Sequence, residues 1–304
     1  MNIKESFRQY ILAKLGVNHR FQQTNESIDS LYYYLNQLVD ISSIPPTKDT
    51  HLRQLQQCDA LLIGIFHELC RKHNLCYWLD YGTLLGAVRH RGFVPWDDDT
   101  DLCMPREDWE KALELLPSEL EKYGISFYEE SDRLCMAYQH EDTGIWIDIF
   151  VVDSYAVEVD DTAHRDILLQ QIKDYQKEYK LHVGKTPQKS LADLSAARER
   201  IVGRGHGMQK LFWRLQFGNI NIFKEGDLLP VSGVIFEGLK LNGPADKEVV
   251  LRTYYGDYMQ FPKSGLMHHG EAFDRPPLSQ WGTLHHVDMG GVKDKLCSVL
   301  HLLK

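Results

Sequence analysis

The sequence predicts an α+β (mixed α/β) protein in which short strands and amphipathic helices interleave. Two patterns carry this reading. Apolar runs of strand length recur at Leu75–Leu79, Thr100–Met104, Ile125–Tyr128, Leu134–Tyr138 and Ile145–Val152. Stretches with apolar residues at helical spacing fill the gaps between them. A third feature organises the function: the segment from Tyr77 to Arg106, YWLDYGTLLGAVRHRGFVPWDDDTDLCMPR, crowds Asp97, Asp98, Asp99 and Asp101 together, with Asp80 upstream. Carboxylates this close repel one another, and a cation is the economical way to neutralise them.

The first part of the chain reads as helix. Phe7, Tyr10, Ile11 and Leu15 form one apolar stripe; Ile28, Leu31, Tyr32, Leu35 and Leu38 form a second. Gly16 and Asn18 between them suggest a helical hairpin that serves as a packing or dimerisation arm, and so a route to a homo-oligomer. Pro45 and Pro46 end this arm. A further amphipathic helix is expected over His51–His73, terminated by Asn74. After the strand at Leu75–Leu79, Tyr81-Gly82-Thr83 turns the chain into a short helix, a geometry that lets backbone N–H groups face a phosphate.

Thr100–Met104 reads as the next strand, and Asp99 and Asp101, two residues apart, project to the same face along it; Asp97 joins that face only if the strand begins earlier, and Asp98 points away or lies in the loop. Side-by-side carboxylates suit a hard divalent cation. Asp148 interrupts the apolar run IWIDIFVV, where a lone buried charge is costly, so it is expected to face the same cleft and complete a three-acid site. Arg89 and His90 close the short helix, where a cationic fork could grip phosphate. Glu107 and Asp108 open another helix after Pro105. Residues 160–217 read as two helices joined by GKTPQ, with Lys185, Lys189, Arg198, Arg200, Arg204, Lys210 and Arg214 forming solvated faces or a basic lid. Glu237-Gly238 marks a hairpin turn, and a short helix is expected over Asp246–Tyr255. The rest is expected to be loop-rich. Its histidines, His268, His269, His285 and His286, lack partners at metal-ligand spacing.

Composition narrows the function. The 304 residues are 43% hydrophobic and 25% charged, with a formal net charge of −9. That balance excludes a broad nucleic-acid groove, which needs a basic face. Six cysteines form no CxxC pair, and no segment approaches the ~20 apolar residues of a membrane span. Reduced thiols and a cytoplasmic location are the expectation, and peripheral contact with the inner membrane face needs no spanning segment. The P-loop, dinucleotide and nucleophile-elbow motifs are absent. The acids do not follow the spacing of a calcium loop. Asp99-Thr100-Asp101 is formally the DxD of metal-dependent glycosyltransferases, which remains an alternative, as does a catalytically silent nucleotide-binding scaffold.

The long motif resembles the signature of the LicD family, which includes bacterial phosphorylcholine transferases, fukutin and fukutin-related protein. WIDIF around Asp148, FEGLKLNGP (236–244) and YYGDYMQFP (254–262) match in the expected order. The resemblance implies a nucleotidyltransferase-like core, a central mixed β-sheet flanked by helices. It implies Asp99, Asp101 and Asp148 as catalytic acids and as ligands of Mg2+ (or Mn2+). Tyr81, Gly82, Thr83, Arg89, His90, Glu237, Tyr255 and Asp257 become candidate substrate contacts. The implied reaction moves a phospho-alcohol from a CDP-activated donor to a sugar hydroxyl of a cell-surface glycan, which could be lipid-linked, and releases CMP. Choline would call for an aromatic cage, with Trp78, Tyr81, Trp96, Trp146 and Tyr255 as candidates. The expected organisation is a helical arm (1–48), a catalytic domain (49–265) with the insertion at about 160–217, and a C-terminal tail (266–304) packed on it.

Overall fold

The computed structural model describes residues 17–130, 133–138, 145–182, 187–216, 218–261 and 288–304. Helix α1 (Val17–Leu38) leads into a 3-10 turn at Ile41–Ser43 and then α2 (Thr50–His73). The first half of the expected hairpin lies outside the described residues. The side chains of Leu31 and Leu38 on α1 are exposed. Asp49 caps α2 by accepting from the His51 and Leu52 amides, and Asn74 ends it in the left-handed conformation at φ 53°.

One mixed sheet positions the site. β1 (Trp78–Leu79) pairs antiparallel with β2 (Asp101–Pro105), and β2 runs parallel to β5 (Ile145–Val157). β4 (Arg133–Tyr138) and β3 (Ile125–Glu130) extend the sheet antiparallel beyond β5. Helix α3 (Tyr81–His90) sits between β1 and β2 in sequence, and α4 (Arg106–Leu120) follows β2. The buried face of α2, with Leu62, Ile63, Ile65, Phe66 and Leu69, shares one core with Leu102, Met104, Ile147 and Ile149 of the sheet.

The insertion departs from its expected form. Helices α5 (Thr162–His182) and α6 (Pro187–Ile201) are present, but the second helix stops at Ile201, and Gln209–Gln216 is a strand, β6. Gly203, Gly205 and Gly207 all have positive φ, which ends the helix. A Cβ on Gly205 would lie 2.1 Å from the Ala156 carbonyl oxygen, so the chain can cross β5 there only as glycine. Along KLFWRL the side chains alternate between two cores, Phe212 in the main one and Leu211 and Trp213 in another, and β6 pairs with the far half of β5 on one side and with β7 (Asn219–Lys224) on the other. A helical period fits poorly once both Leu211 and Trp213 face a second small core with Leu168, Ile172 and Tyr175.

The short helix α7 (Glu225–Leu228) precedes the hairpin β8 (Ser232–Phe236) and β9 (Leu239–Gly243), whose turn is Glu237-Gly238 as expected. Helix α8 (Lys247–Tyr255) follows, capped by Asp246. The tail is not all loop. α9 (Met289–Leu303) buries Val292, Leu296, Val299 and Leu300 in the main core, and a Leu300 methyl lies 3.0 Å from where Gly64 of α2 would carry a Cβ. Its apolar residues at helical spacing are the signal for this helix, and Asp288 caps it through the Gly291 amide.

Candidate active site

The site begins with strand register. Asp101 and Asp148 are paired across the parallel strands β2 and β5, so their side chains leave the same face of the sheet, and both are buried. Arg133 of β4 donates from Nη1 to Asp148 Oδ2 at 2.8 Å. Asp99 precedes β2 rather than lying in it, so strand alternation does not align it with Asp101. The loop gathers its own acids instead, without Asp101. Asp97, Asp98 and Asp99 present carboxylate oxygens within 4.8 Å of one another, close enough to hold a cation together. Asp97 therefore joins the acids, where the sequence placed it outside the ligand set.

Burial raises the carboxyl pKa of Asp101 well above the ordinary value, and the neighbouring charges of Asp99 and Asp148 raise it further. Asp97 is raised for the same reasons, burial first and then Asp99 and Asp98. A site that so disfavours its own negative charges, and offers only hard oxygen donors, fits a divalent cation such as Mg2+.

Gly82 and Thr83 do not form a free turn. They lie in the first turn of α3, and each has a specific packing reason. A Cβ at Gly82 would fall 2.5 Å from Asp97 Oδ2. Thr83 Oγ1 accepts from the Asp101 amide at 2.8 Å, tying helix to strand. The loop is fixed from the other side by Gln56 of α2, whose Nε2 donates to the Asp97 carbonyl at 2.9 Å.

Asp80 is the N-cap of α3 but caps nothing with its side chain. Its carboxylate is wholly buried, pairs with Arg214 of β6, and accepts from the Tyr254 hydroxyl at 3.1 Å. Arg214 is itself 3% exposed, and its guanidinium lies 3.9 Å from the Tyr81 ring centroid and 4.8 Å from that of Tyr254. This packing holds Tyr81 at φ 36°, a strained value for a tyrosine. The helix N-terminus is thereby left without a side-chain cap, directly against the Asp97 carboxylate. No local pattern pairs Asp80 with Arg214, which lie far apart in the chain.

The remaining candidates divide. Arg89 is buried and turned inward: its Nη1 donates to the Tyr258 carbonyl at 2.9 Å and its Nε to His90 Nε2 at 3.0 Å. Burial and the Arg89 charge push His90 down to about 4, so the imidazole is neutral near neutral pH. Glu237 takes a bidentate contact from Arg53, at 3.0 and 2.6 Å, and accepts from the Phe93 amide at 3.3 Å. It braces the Gly92–Phe93 loop from outside the acidic cluster. Tyr255 is 42% exposed overall, yet desolvation raises its hydroxyl, and Asp101 and Asp97 raise it further, which places that hydroxyl in the field of the cluster. Asp257 is exposed and accepts from Gln260 Nε2 at 2.6 Å.

Of the cage candidates, Trp78 is fully buried in the core and unavailable to a ligand, while Trp96 and Trp146 are half-buried. Among the described residues, several cations expected in the basic lid are engaged. Arg198 pairs with Asp153, Arg204 with Glu199 at 3.3 Å, and Arg214 with Asp80. Lys185 and the histidines His268, His269, His285 and His286 lie outside the described residues.

One acid went unread in the sequence. Asp59 of α2 is buried, and its Oδ1 has no hydrogen-bond partner among the described residues. Burial raises it well above the ordinary carboxyl value, with Asp99 and Asp98 the next causes, so it stands beside the cluster. A polar residue on the apolar stripe of an otherwise amphipathic helix was the available signal.

A mixed sheet with acids in register on adjacent parallel strands, an acidic loop and an uncapped helix N-terminus define a nucleotidyltransferase-like domain. Residues 74–187 match the family model described as LicD/FKTN/FKRP, nucleotidyltransferase domain. The matched segment is somewhat over a third of the chain. It is 40% identical over 68 residues to the lipopolysaccharide cholinephosphotransferase LicD of Haemophilus influenzae, covering 22% of this chain and 26% of that protein. An uncharacterized protein of Rickettsia prowazekii is 36% identical over 98 residues, 29% of this chain and 36% of its own length. The human ribitol 5-phosphate transferase FKRP is 39% identical over 57 residues, 19% of this chain and 11% of that protein. The matches thus span about a third or less of each relative's length.

Proposed function

We propose that the protein is a metal-dependent phosphotransferase that moves a phospho-alcohol from a CDP-activated donor to a sugar hydroxyl of a glycan, releasing CMP. The observation that carries this reading is the in-register pair Asp101–Asp148 facing an acidic loop and the uncapped N-terminus of α3. The named relatives, a cholinephosphotransferase and a ribitol 5-phosphate transferase, support phospho-alcohol transfer as the class.

Asp99, Asp101 and Asp148, with Asp97 beside them, would hold Mg2+ or Mn2+, which would supply Lewis-acid stabilisation of the charge that develops during transfer. The backbone N–H groups of the first turn of α3 orient the donor phosphate, aided by the positive end of the helix dipole. Arg133 fixes one oxygen of Asp148 and so fixes its direction. Thr83 and Gln56 hold β2 and the acidic loop in place. A carboxylate of the cluster that the cation does not fully engage would accept the proton of the acceptor hydroxyl. Among the described residues no helix is long and apolar enough to cross a membrane, so a lipid-linked acceptor would be met at a membrane surface.

The test is incubation with Mg2+ and a panel of CDP-choline, CDP-ribitol and CDP-glycerol, following CMP release with and without glycan. No CMP from any donor, together with no magnesium-dependent nucleotide binding, would sink the reading.

A further inference from the structure

A cavity of about 290 Å3 lies between the core and the insertion, and no residue of the acidic loop lines it. Its walls come from α4 and β5 on one side and from α5, α6 and β6 on the other. Three properties of its lining point to a ligand. First, buried donors there are unused: Trp213 Nε1 and Arg198 Nε have no hydrogen-bond partner among the described residues, and Trp213 is 2% exposed. Arg214 also lines the cavity, and its Nε and Nη2 are likewise unpartnered there. Buried donors left unsatisfied are costly, and a bound acceptor relieves that cost.

Second, the wall is aromatic. Trp213 and Tyr175 meet edge to face at 6.1 Å between ring centroids, and Tyr179 stands beside them at 6.3 Å from Tyr175. Third, the charges balance. Arg106 and Arg198 are both spent on Asp153, and Arg214 on Asp80, while Glu129 and Glu110 also line the space. No surplus positive charge remains to hold an anion. Donors, carboxylate acceptors and aromatic faces without net charge suit a neutral ring bearing many hydroxyls.

We propose that this cavity binds a sugar residue of the acceptor glycan. The inference rests on the transferase reading and adds to it a place for the acceptor. Phe150 connects the two regions: it lines the cavity, meets the Tyr81 ring at 6.2 Å, and stands two residues beyond Asp148 on the same face of β5. Along a strand, two residues correspond to about 7 Å, so a sugar in the cavity lies within one or two ring lengths of the acids.

The experiment is direct binding to the full chain without donor or metal. The indole N–H resonance of Trp213, assigned by its loss in Trp213→Phe, is followed while methyl glycosides of hexoses and N-acetylhexosamines are added one at a time. Ribitol, glycerol and inorganic phosphate serve as counter-probes. The expected result is that at least one glycoside shifts the Trp213 resonance, and that Glu129→Ala weakens this binding by about tenfold, the loss of one hydrogen bond to a charged group. Glu129→Ala should leave acceptor-independent CMP release unchanged, which separates failure of the pocket from failure of the transferase reading. Tyr179→Ser is the second variant, should Glu129→Ala fold poorly. No shift with any glycoside overturns the proposal, as does a shift produced only by phosphate or only by the open-chain polyols.

Discussion

Replacing Gly82 with alanine tests the link between helix α3 and the acidic loop, because two effects pull stability in opposite directions. Helix propensity alone favours alanine over glycine by about 1 kcal/mol within a helix. Against this, the new methyl would lie 2.5 Å from Asp97 Oδ2, where ordinary contact begins near 3.4 Å, so the oxygen must retreat by roughly 1 Å. The Asp97 backbone is pinned by Gln56, so the retreat falls on the carboxylate itself, a rotation of one short side chain. The net change in stability should therefore stay within about 1 kcal/mol. Activity should respond far more, since a displacement of about 1 Å at a reacting centre can cost roughly a hundredfold. CMP release under saturating Mg2+ and thermal unfolding, measured on the same preparation, separate the two. A Gly82→Ala protein with unchanged turnover and unchanged Mg2+ affinity would refute the argument that Asp97 belongs to the cation site.

Further outcomes are expected. Asp101→Asn should fold normally and lose CMP release by at least about a hundredfold; wild-type turnover would make the metal assignment wrong. Without metal, the raised carboxyls of Asp97 and Asp101 mean that the folded protein holds more protons than the unfolded chain. Stability should then fall as pH rises from about 4 through the folded-state values, and Mg2+ should reverse the trend, giving a larger rise in Tm at pH 8 than at pH 6. Equal Mg2+ stabilisation at both pH values would contradict the burial and repulsion assigned to these acids. Arg214→Met should destabilise by about 3–5 kcal/mol, because it strands the buried Asp80 carboxylate. Adding Asp80→Asn should recover part of that loss in denaturant titrations, and a purely additive double variant would show that the two do not interact.

Much of the fold was legible because its signals are local. The strands at Ile125, Leu134 and Ile145, the helix ending at Asn74, and the Glu237-Gly238 turn each follow from apolar period or turn chemistry within a few residues. The insertion misled because amphipathic helix and alternating strand share an apolar content. Three positive-φ glycines, two of them (Gly205 and Gly207) pressed against the β5 backbone, decided the outcome.

The acidic segment that first marked the function shows the same division. The sequence by itself determined that Asp97 to Asp101 crowd together, that Asp148 interrupts a buried strand, and that the segment resembles one family. Tertiary structure decided which acids meet. Parallel register sets Asp101 opposite Asp148, and the loop gathers Asp97 to Asp99. Asp59 arrives from α2, and Arg214 draws the Asp80 side chain away from the helix end it would otherwise cap. These are contacts between residues far apart in the chain, set by packing and burial, and no local pattern encodes them.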